Sequence, residues 1–191
     1  MMFYHASQTP NISTLEPRVS NHGVPLIYFS KKRENVLVYL SNAVEKYCKE
    51  TGFAHLGRWQ KWGPYGFGTD GRLRLEEYYP GALADTYKGV AGYIYSAACV
   101  EDSGHSIQIP DAVTSAGPVT VNGCEFVPDA YEAILKAERA GLITIRRYQE
   151  LSSREAVWIE HTVIQEYRDT EDEAYRYFLK GKFPQVLSDQ D

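Results

Sequence analysis

Apolar and polar positions change period several times along this chain. Phe3-Tyr4-His5 opens as a short β-prone run, and Leu26 to Ser30 forms a second one rich in branched and aromatic residues. Between them Asn11 to Gly23 reads as loop, broken by Pro17, Asn21 and Gly23. From Glu34 to Glu50 the period becomes helical. Val36, Leu40, Ala43, Val44 and Tyr47 share one face, and Thr51-Gly52 supplies a stop. Residues 53–71 are glycine-rich and loop-like. Short helices are expected over Arg72–Tyr79 and over Pro80–Tyr87, the second with proline in its first turn. Strands are expected over Ala91–Cys99, Ile107–Thr114, Pro118–Val121 and Cys124–Val127, the last after an Asn122-Gly123 turn signal.

The final third has the strongest local signals. Asp129 can cap a helix running to Ala140, with Glu132 three positions later and Gly141 behind it. Leu142 to Tyr148 reads as a strand. Ser152 with Glu155 forms a capping-box pattern ahead of Ile159, Val163, Ile164 and Tyr167, so 153–168 reads as helix; a strand over Ala156–Ile164 is the rival. Glu171 to Lys182 is a last helix. Short strands and helices mix without regular βαβ alternation, which points to an α+β fold. The expected organisation is a core over residues 1–150 and a helical C-terminal extension over 151–191 packed on it.

Composition adds one unusual feature: 15 Tyr, 7 Phe and 3 Trp in 191 residues. Disordered chains are poor in aromatics, so a packed domain is expected. Tyrosine excess favours polar-tipped core edges and ligand-facing walls. The count of 20 basic against 25 acidic residues, net −5, argues against a broad nucleic-acid face. Cys48, Cys99 and Cys124 form no metal-spaced pair and read as buried thiols in a reducing compartment. The opening MMFYHASQTP has no basic region followed by an apolar one, and Val90–Val100 is too short to span a bilayer. A cytoplasmic location with no membrane contact is therefore expected.

Most motif-level chemistry fails on its context. Gly66-Phe67-Gly68-Thr69-Asp70-Gly71 matches GxGxxG, but Arg58-Trp59-Gln60-Lys61-Trp62 before it is no hydrophobic strand, and no acidic residue follows about 20 positions on. A surface loop explains it better. The 58–62 segment itself interleaves basic and aromatic residues, as RNA-binding segments do, yet tryptophans covering a core edge explain it as well. Lys31-Lys32-Arg33 reads as a solvated cluster. His5, His22, His55, His105 and His161 show no metal spacing, and no GxSxG nucleophile is present. What remains is the N-terminal set. His5 and Ser7 at a strand end suit ribose hydroxyls, and Tyr28 and Tyr39 suit a flat ring; core packing accounts for the same residues.

These residues carry a resemblance. Tyr4-His5-Ala6-Ser7 is similar to the H-G-[ST] motif of the ADP-ribosyltransferase superfamily, of the diphtheria-toxin and poly(ADP-ribose) polymerase type. Ile27-Tyr28-Phe29-Ser30 resembles its I-Y-F-A segment, and Tyr39, eleven residues after Tyr28, matches its second tyrosine. Cys124-Glu125-Phe126-Val127-Pro128-Asp129 resembles the E-Y-I-V-x-D segment of the polymerases. The resemblance covers about the first 45 residues well and the rest loosely. It implies small split sheets, mixed or antiparallel, with flanking helices around an NAD cleft.

The resemblance also implies roles. His5 would bind the adenosine-side ribose of NAD beside Ser7, and the backbone at Ala6 would hold the nicotinamide carboxamide. Tyr28 and Tyr39 would stack on the two faces of the nicotinamide ring, with Ser30 beside them. Glu125 would stabilise the oxocarbenium-like transition state as nicotinamide leaves, with Tyr39 and His5 completing the catalytic set. Glu155 and Glu160 are alternatives only if the tail is a strand. Two departures stand out: Ala6 replaces the family's glycine, and no E-x-E or Q-x-E pair precedes Glu125, against arginine-directed transfer. The implied function is NAD binding with mono-ADP-ribosyl transfer to a protein or nucleic-acid acceptor, or NAD glycohydrolysis. The alternative is a non-catalytic module binding a nucleotide, ADP-ribose or a protein.

Overall fold

A computed structural model of the chain describes residues 1–19, 23–105 and 107–188. Asn21 and His22, named above as a loop breaker and a histidine, lie outside the described residues. The first strands are β1 (Phe3–Ser7), β2 (Thr14–Leu15), β3 (Arg18–Val19) and β4 (Pro25–Ser30). A 3-10 helix over Arg33–Leu40 precedes α1 (Ala43–Glu50). Then come β5 (Tyr65–Phe67), β6 (Leu73–Glu76), α2 (Ala82–Tyr87) and β7 (Gly92–Ala97). Next are β8 (Ala112–Ser115), β9 (Val119–Thr120), β10 (Gly123–Val127), α3 (Ala130–Arg139) and β11 (Ile143–Arg146). Beyond a short 3-10 turn the chain closes with α4 (Ser153–Asp169), α5 (Glu173–Lys182) and α6 (Pro184–Leu187). The fold is α+β, with six α-helices among the described residues and no barrel.

The main sheet runs β10-β7-β1-β4-β3, with β8 also on β4, and every pairing in it is antiparallel. β7 joins β1 along five register pairs, whereas β1 meets β4 at one, Tyr4 opposite Ser30. The second sheet, β11-β6-β5, is mixed: β6 lies parallel to β11 and antiparallel to β5. β2 and β9 form a two-stranded ribbon.

Side-chain alternation gives the main sheet two apolar faces. On one face Ala6 and Ile94 pack with Val36, Leu37 and Leu40 of the 3-10 helix, with Ile134 of α3, and with Leu73 and Ile143 of the second sheet. On the other, Ile27, Phe29 and Tyr95 pack against Leu15 and Val119 of the ribbon. A third cluster lies apart, where α4, α5 and α6 close over α1 and Trp62. Its members include Phe178, Leu179, Phe183 and Val163. The segment over residues 151–188 thus packs on the helical flank.

Several expectations differ: the segments read as loop over Asn11–Gly23 and 53–71 hold the short strands β2, β3 and β5. The helix read over Glu34–Glu50 is two, separated at Ser41 and Asn42, which are both extended. Asn42 starts the second by accepting from the Val44 and Glu45 amides at 3.0 and 3.5 Å, a local cap that competes with helix continuation. Arg72–Tyr79 is not helical. Leu73 and Leu75 are buried while Arg74 is exposed, a period of two realised by pairing with β11 seventy residues away. The strand expected over Ile107–Thr114 shrinks to Ala112–Ser115. The late helices follow their caps: Asp129 accepts from the Glu132 amide, and Ser152 with Glu155 closes a reciprocal capping box. A strand over Ala156–Ile164 is thereby ruled out.

Candidate functional site

Between β4 and the 3-10 helix a narrow crevice opens, lined by Tyr28, Ser30, Asn35 and Tyr39 and roofed by Phe67, Ile107 and Ile109. Its water-accessible volume is about 30 Å³, enough for two water molecules. The turn that aims the helix is firmly held. Ser30 Oγ accepts from the Lys32 amide at 3.1 Å, the Lys31 amide donates to the Asp111 carbonyl at 2.8 Å, and Lys32 Nζ pairs with the Asp111 carboxylate at 2.9 Å. Asp111 itself sits in the left-handed region, φ 61°, a conformation aspartate tolerates better than most residues.

Tyr39 is 37% exposed. It accepts from the Tyr65 hydroxyl at 3.3 Å, meets that ring edge-on at 6.0 Å, and has Lys61 Nζ over its own ring at 5.5 Å. Burial pushes the Tyr39 hydroxyl well above its ordinary range and the Lys61 ammonium below its own. Tyr39 is therefore a neutral wall. Asn35 is the residue that sequence reasoning missed. It is 5% exposed, lines the crevice, and neither its Oδ1 nor its Nδ2 has a hydrogen-bond partner. No motif marked it: an asparagine three residues into a helical run ordinarily faces solvent.

The pleat divides the other residues. Directly opposed residues of antiparallel strands project to one face. Tyr4, Ser30 and Tyr28 therefore share a face with Ala6, Ile94 and Glu125, whereas His5, Phe29, Tyr95 and Cys124 share the other. His5 Nδ1 lies 2.9 Å from the Tyr28 carbonyl, and its ring is tilted against Phe29 at 5.9 Å. A carbonyl can only accept, so Nδ1 carries the proton and Nε2 is the acceptor of the neutral ring. Burial lowers the His5 pKa from its ordinary 6.5 despite that bond. Ser7 Oγ accepts from the Thr9 amide at 3.1 Å. Ala6 is buried, its methyl in the cluster with Val36 and Leu40, and it does not line the crevice.

Glu125 stands elsewhere. On β10 it lies in the row Glu125–Ile94–Ala6, so the sheet separates its backbone from Tyr28 by three strand spacings, about 14 Å. Its carboxylate is clamped by Arg33, Nε to Oε2 at 2.8 Å and Nη2 to Oε1 at 2.5 Å. That guanidinium holds the Glu125 carboxyl below the usual carboxylate range. The pair borders an open groove of about 690 Å³ along α3, with Lys136 and Arg139 on its far side. Glu155 and Glu160 both lie on α4. Glu155 is taken up by Arg146 and the Ser152 cap, which drive it down to about 2, and Glu160 is exposed.

No protein-family model matches this chain, no curated protein matches it, and no solved structure matches it. The arrangement is thus read from its own residues.

The remaining motifs are structural. After Gly66-Phe67-Gly68-Thr69-Asp70-Gly71 the chain enters β6, not a helix, so no helix N-terminus stands ready for a pyrophosphate. Trp62 is buried in the C-terminal cluster with Trp59 against it, and Arg58 donates to the Val19 carbonyl. Among the described residues no three metal-binding side chains gather, and of the three thiols expected to be buried only Cys48 is, Cys99 and Cys124 being exposed.

Proposed function

We propose that this protein binds NAD or a closely related nucleotide in the crevice between Tyr28 and Tyr39, on an ADP-ribosyltransferase-like core. In this reading residues 1–150 form that core and 151–191 brace it. The observation that carries it is the convergence of two tyrosines, eleven residues apart in sequence, on one crevice that buried Asn35 also lines. Two aromatic walls suit a flat pyridine ring. The crevice holds about two waters, so the ring enters by displacing them and parting Ile107 and Ile109 from Tyr39. His5 acts from the opposite face of the sheet, by fixing the Tyr28 backbone through Nδ1.

In the arrangement described the nucleotide is held rather than cleaved. Transfer or glycohydrolysis through Glu125 requires a carboxylate at the nicotinamide ribose. Glu125 is instead bound two-pronged by Arg33 and lies three strands from Tyr28. The second reading, catalysis, rests on Arg33 releasing Glu125, which is ionised and half exposed.

Titration with NAD followed by intrinsic aromatic fluorescence tests the first reading. Saturable binding is expected, weaker for ADP-ribose, which lacks the ring, and weakened by Tyr39→Ala. Equal affinity for NAD and ADP-ribose sinks the crevice assignment. Nicotinamide release on long incubation separates the two readings. None is expected; release that disappears in Glu125→Gln establishes the catalytic one.

A further inference from the structure

The main sheet ends in an uncovered edge. β10 bonds to β7 on one side, and among the described residues no strand lies on its other side. The groove along α3 follows that edge. It touches Glu125, Phe126 and Val127, three consecutive residues whose side chains alternate between faces, so it runs beside the strand rather than over either face. Phe126 is 56% exposed there, and Leu142, also on the groove, is 48% exposed. A bare strand edge with apolar side chains is a template for another strand. We infer that the occupant is a second copy of this chain. In the resulting two-fold dimer β10 pairs antiparallel with its counterpart, and the two α3 helices lie side by side, also antiparallel.

The charges of the groove select this occupant. Along it α3 presents Asp129 and Glu132 at its start and Lys136 and Arg139 towards its end. Arg33 and Glu125, the remaining charged residues of the lining, already neutralise each other. A strand of one charge sign would meet like charges as often as opposite ones. A two-fold axis perpendicular to the sheet keeps both α3 helices on the same face and reverses one against the other. The acidic start of each then meets the basic end of its counterpart, a self-complementary contact that closes at two copies. Ala133, Ala137 and Ala140 form the stripe of α3 that lines the groove, and their small side chains let the facing helix come close.

Sedimentation equilibrium over a range of protein concentrations tests the dimer, and Cys124 on β10 reports its position. Cys99 is exposed as well, so the positional experiment uses Cys99→Ser. The wild type is expected to reach twice the mass of the chain and stop there. In Cys99→Ser a short bis-maleimide is expected to join the two Cys124 thiols, because same-face neighbours across an antiparallel pair lie about 5–8 Å apart. Lys136→Glu combined with Arg139→Glu makes this face of α3 wholly acidic, and the dimer dissociation constant is expected to rise about tenfold or more. Mixing that variant with Glu132→Lys is expected to restore association, as a heterodimer. Glu132, Lys136 and Arg139 are all exposed, and thermal midpoints measured alongside establish that each variant is folded. If a charge variant does not fold, the Cys124 cross-link decides. A wild type that is monomeric at every concentration overturns the inference. So does a dimer that fails to cross-link through Cys124, or one that a folded charge variant does not weaken. Assembly that keeps growing with concentration overturns it too, since a two-fold contact closes.

Discussion

The crevice at Tyr28 and the aromatic cluster under the C-terminal helices use the same residue types to opposite ends. In the cluster Phe178 and Phe183 are sealed, Trp62 crosses Phe183 at 5.4 Å, and Tyr175 lies parallel to Phe178 at 6.3 Å. Tyr175 even finds a carboxylate, Glu166, for its hydroxyl. In the crevice Tyr39 is more than a third exposed, an amide goes unpaired, and the space between the rings is unfilled by protein. Aromatic content alone therefore distinguishes nothing. Polar pairing does not separate the two regions either, since Trp62 Nε1 and Tyr79 Oη in the cluster also lack partners; what separates them is exposure and the space left beside the rings.

That contrast breaks most readily in the cluster. Phe178→Ala is expected to cost about 3–5 kcal/mol in denaturant unfolding, since a fully buried ring leaves a cavity ringed by other aromatics. Nucleotide affinity of the folded fraction should be unchanged; a loss of affinity equal to that of a crevice variant would mean that the two regions are one. Tyr39→Ala inverts the pattern. Stability should change by less than about 1 kcal/mol, as at other partly exposed positions, while affinity falls by about 1–3 kcal/mol, the scale of one lost stacking partner.

Smaller effects sharpen the boundary. Ser152→Ala should remove about 1 kcal/mol by opening the capping box of α4, leaving binding untouched in a titration. The same helix start is acid-sensitive: Glu155 is held near 2, so its contribution is complete above about 4.5 and is lost as pH falls towards 2. The smallest effect belongs to His5. Its folded pKa lies below 6.5, so the neutral ring favours the fold above 6.5 and that contribution declines as pH drops below it. Unfolding midpoints of His5→Gln should show a flatter profile between pH 7 and 5. A profile as steep as the wild type's would place the titrating group elsewhere.

How far the sequence carried the fold depended on how local each signal was. The helices starting at Ala130 and Ser153 were legible because their caps lie within three residues of their starts. The strand Leu73–Glu76 was not, since two buried leucines flanking an arginine acquire meaning only from a partner seventy residues on. The long helix over 34–50 was misread because the apolar spacing runs straight through Asn42, whose capping geometry the spacing cannot see. The site divides in the same way. The eleven-residue interval marked Tyr28 and Tyr39. Nothing marked Asn35, whose significance is its burial, or the Arg33–Glu125 clamp across 92 positions.

The single register pair between β1 and β4 has a consequence for motion. A sheet seam stitched by one backbone bridge is its weakest line, and here the 3-10 helix bearing Asn35 and Tyr39 packs across both strands. Opening fluctuations along that line set how fast the neighbouring amide protons trade with solvent deuterium. A molecule gripping the helix would damp them, because whatever binds only the closed form shifts the balance towards it. Occupancy of the crevice should therefore be readable as slowed exchange at Ala6 and Ser7, on a strand the ligand never touches.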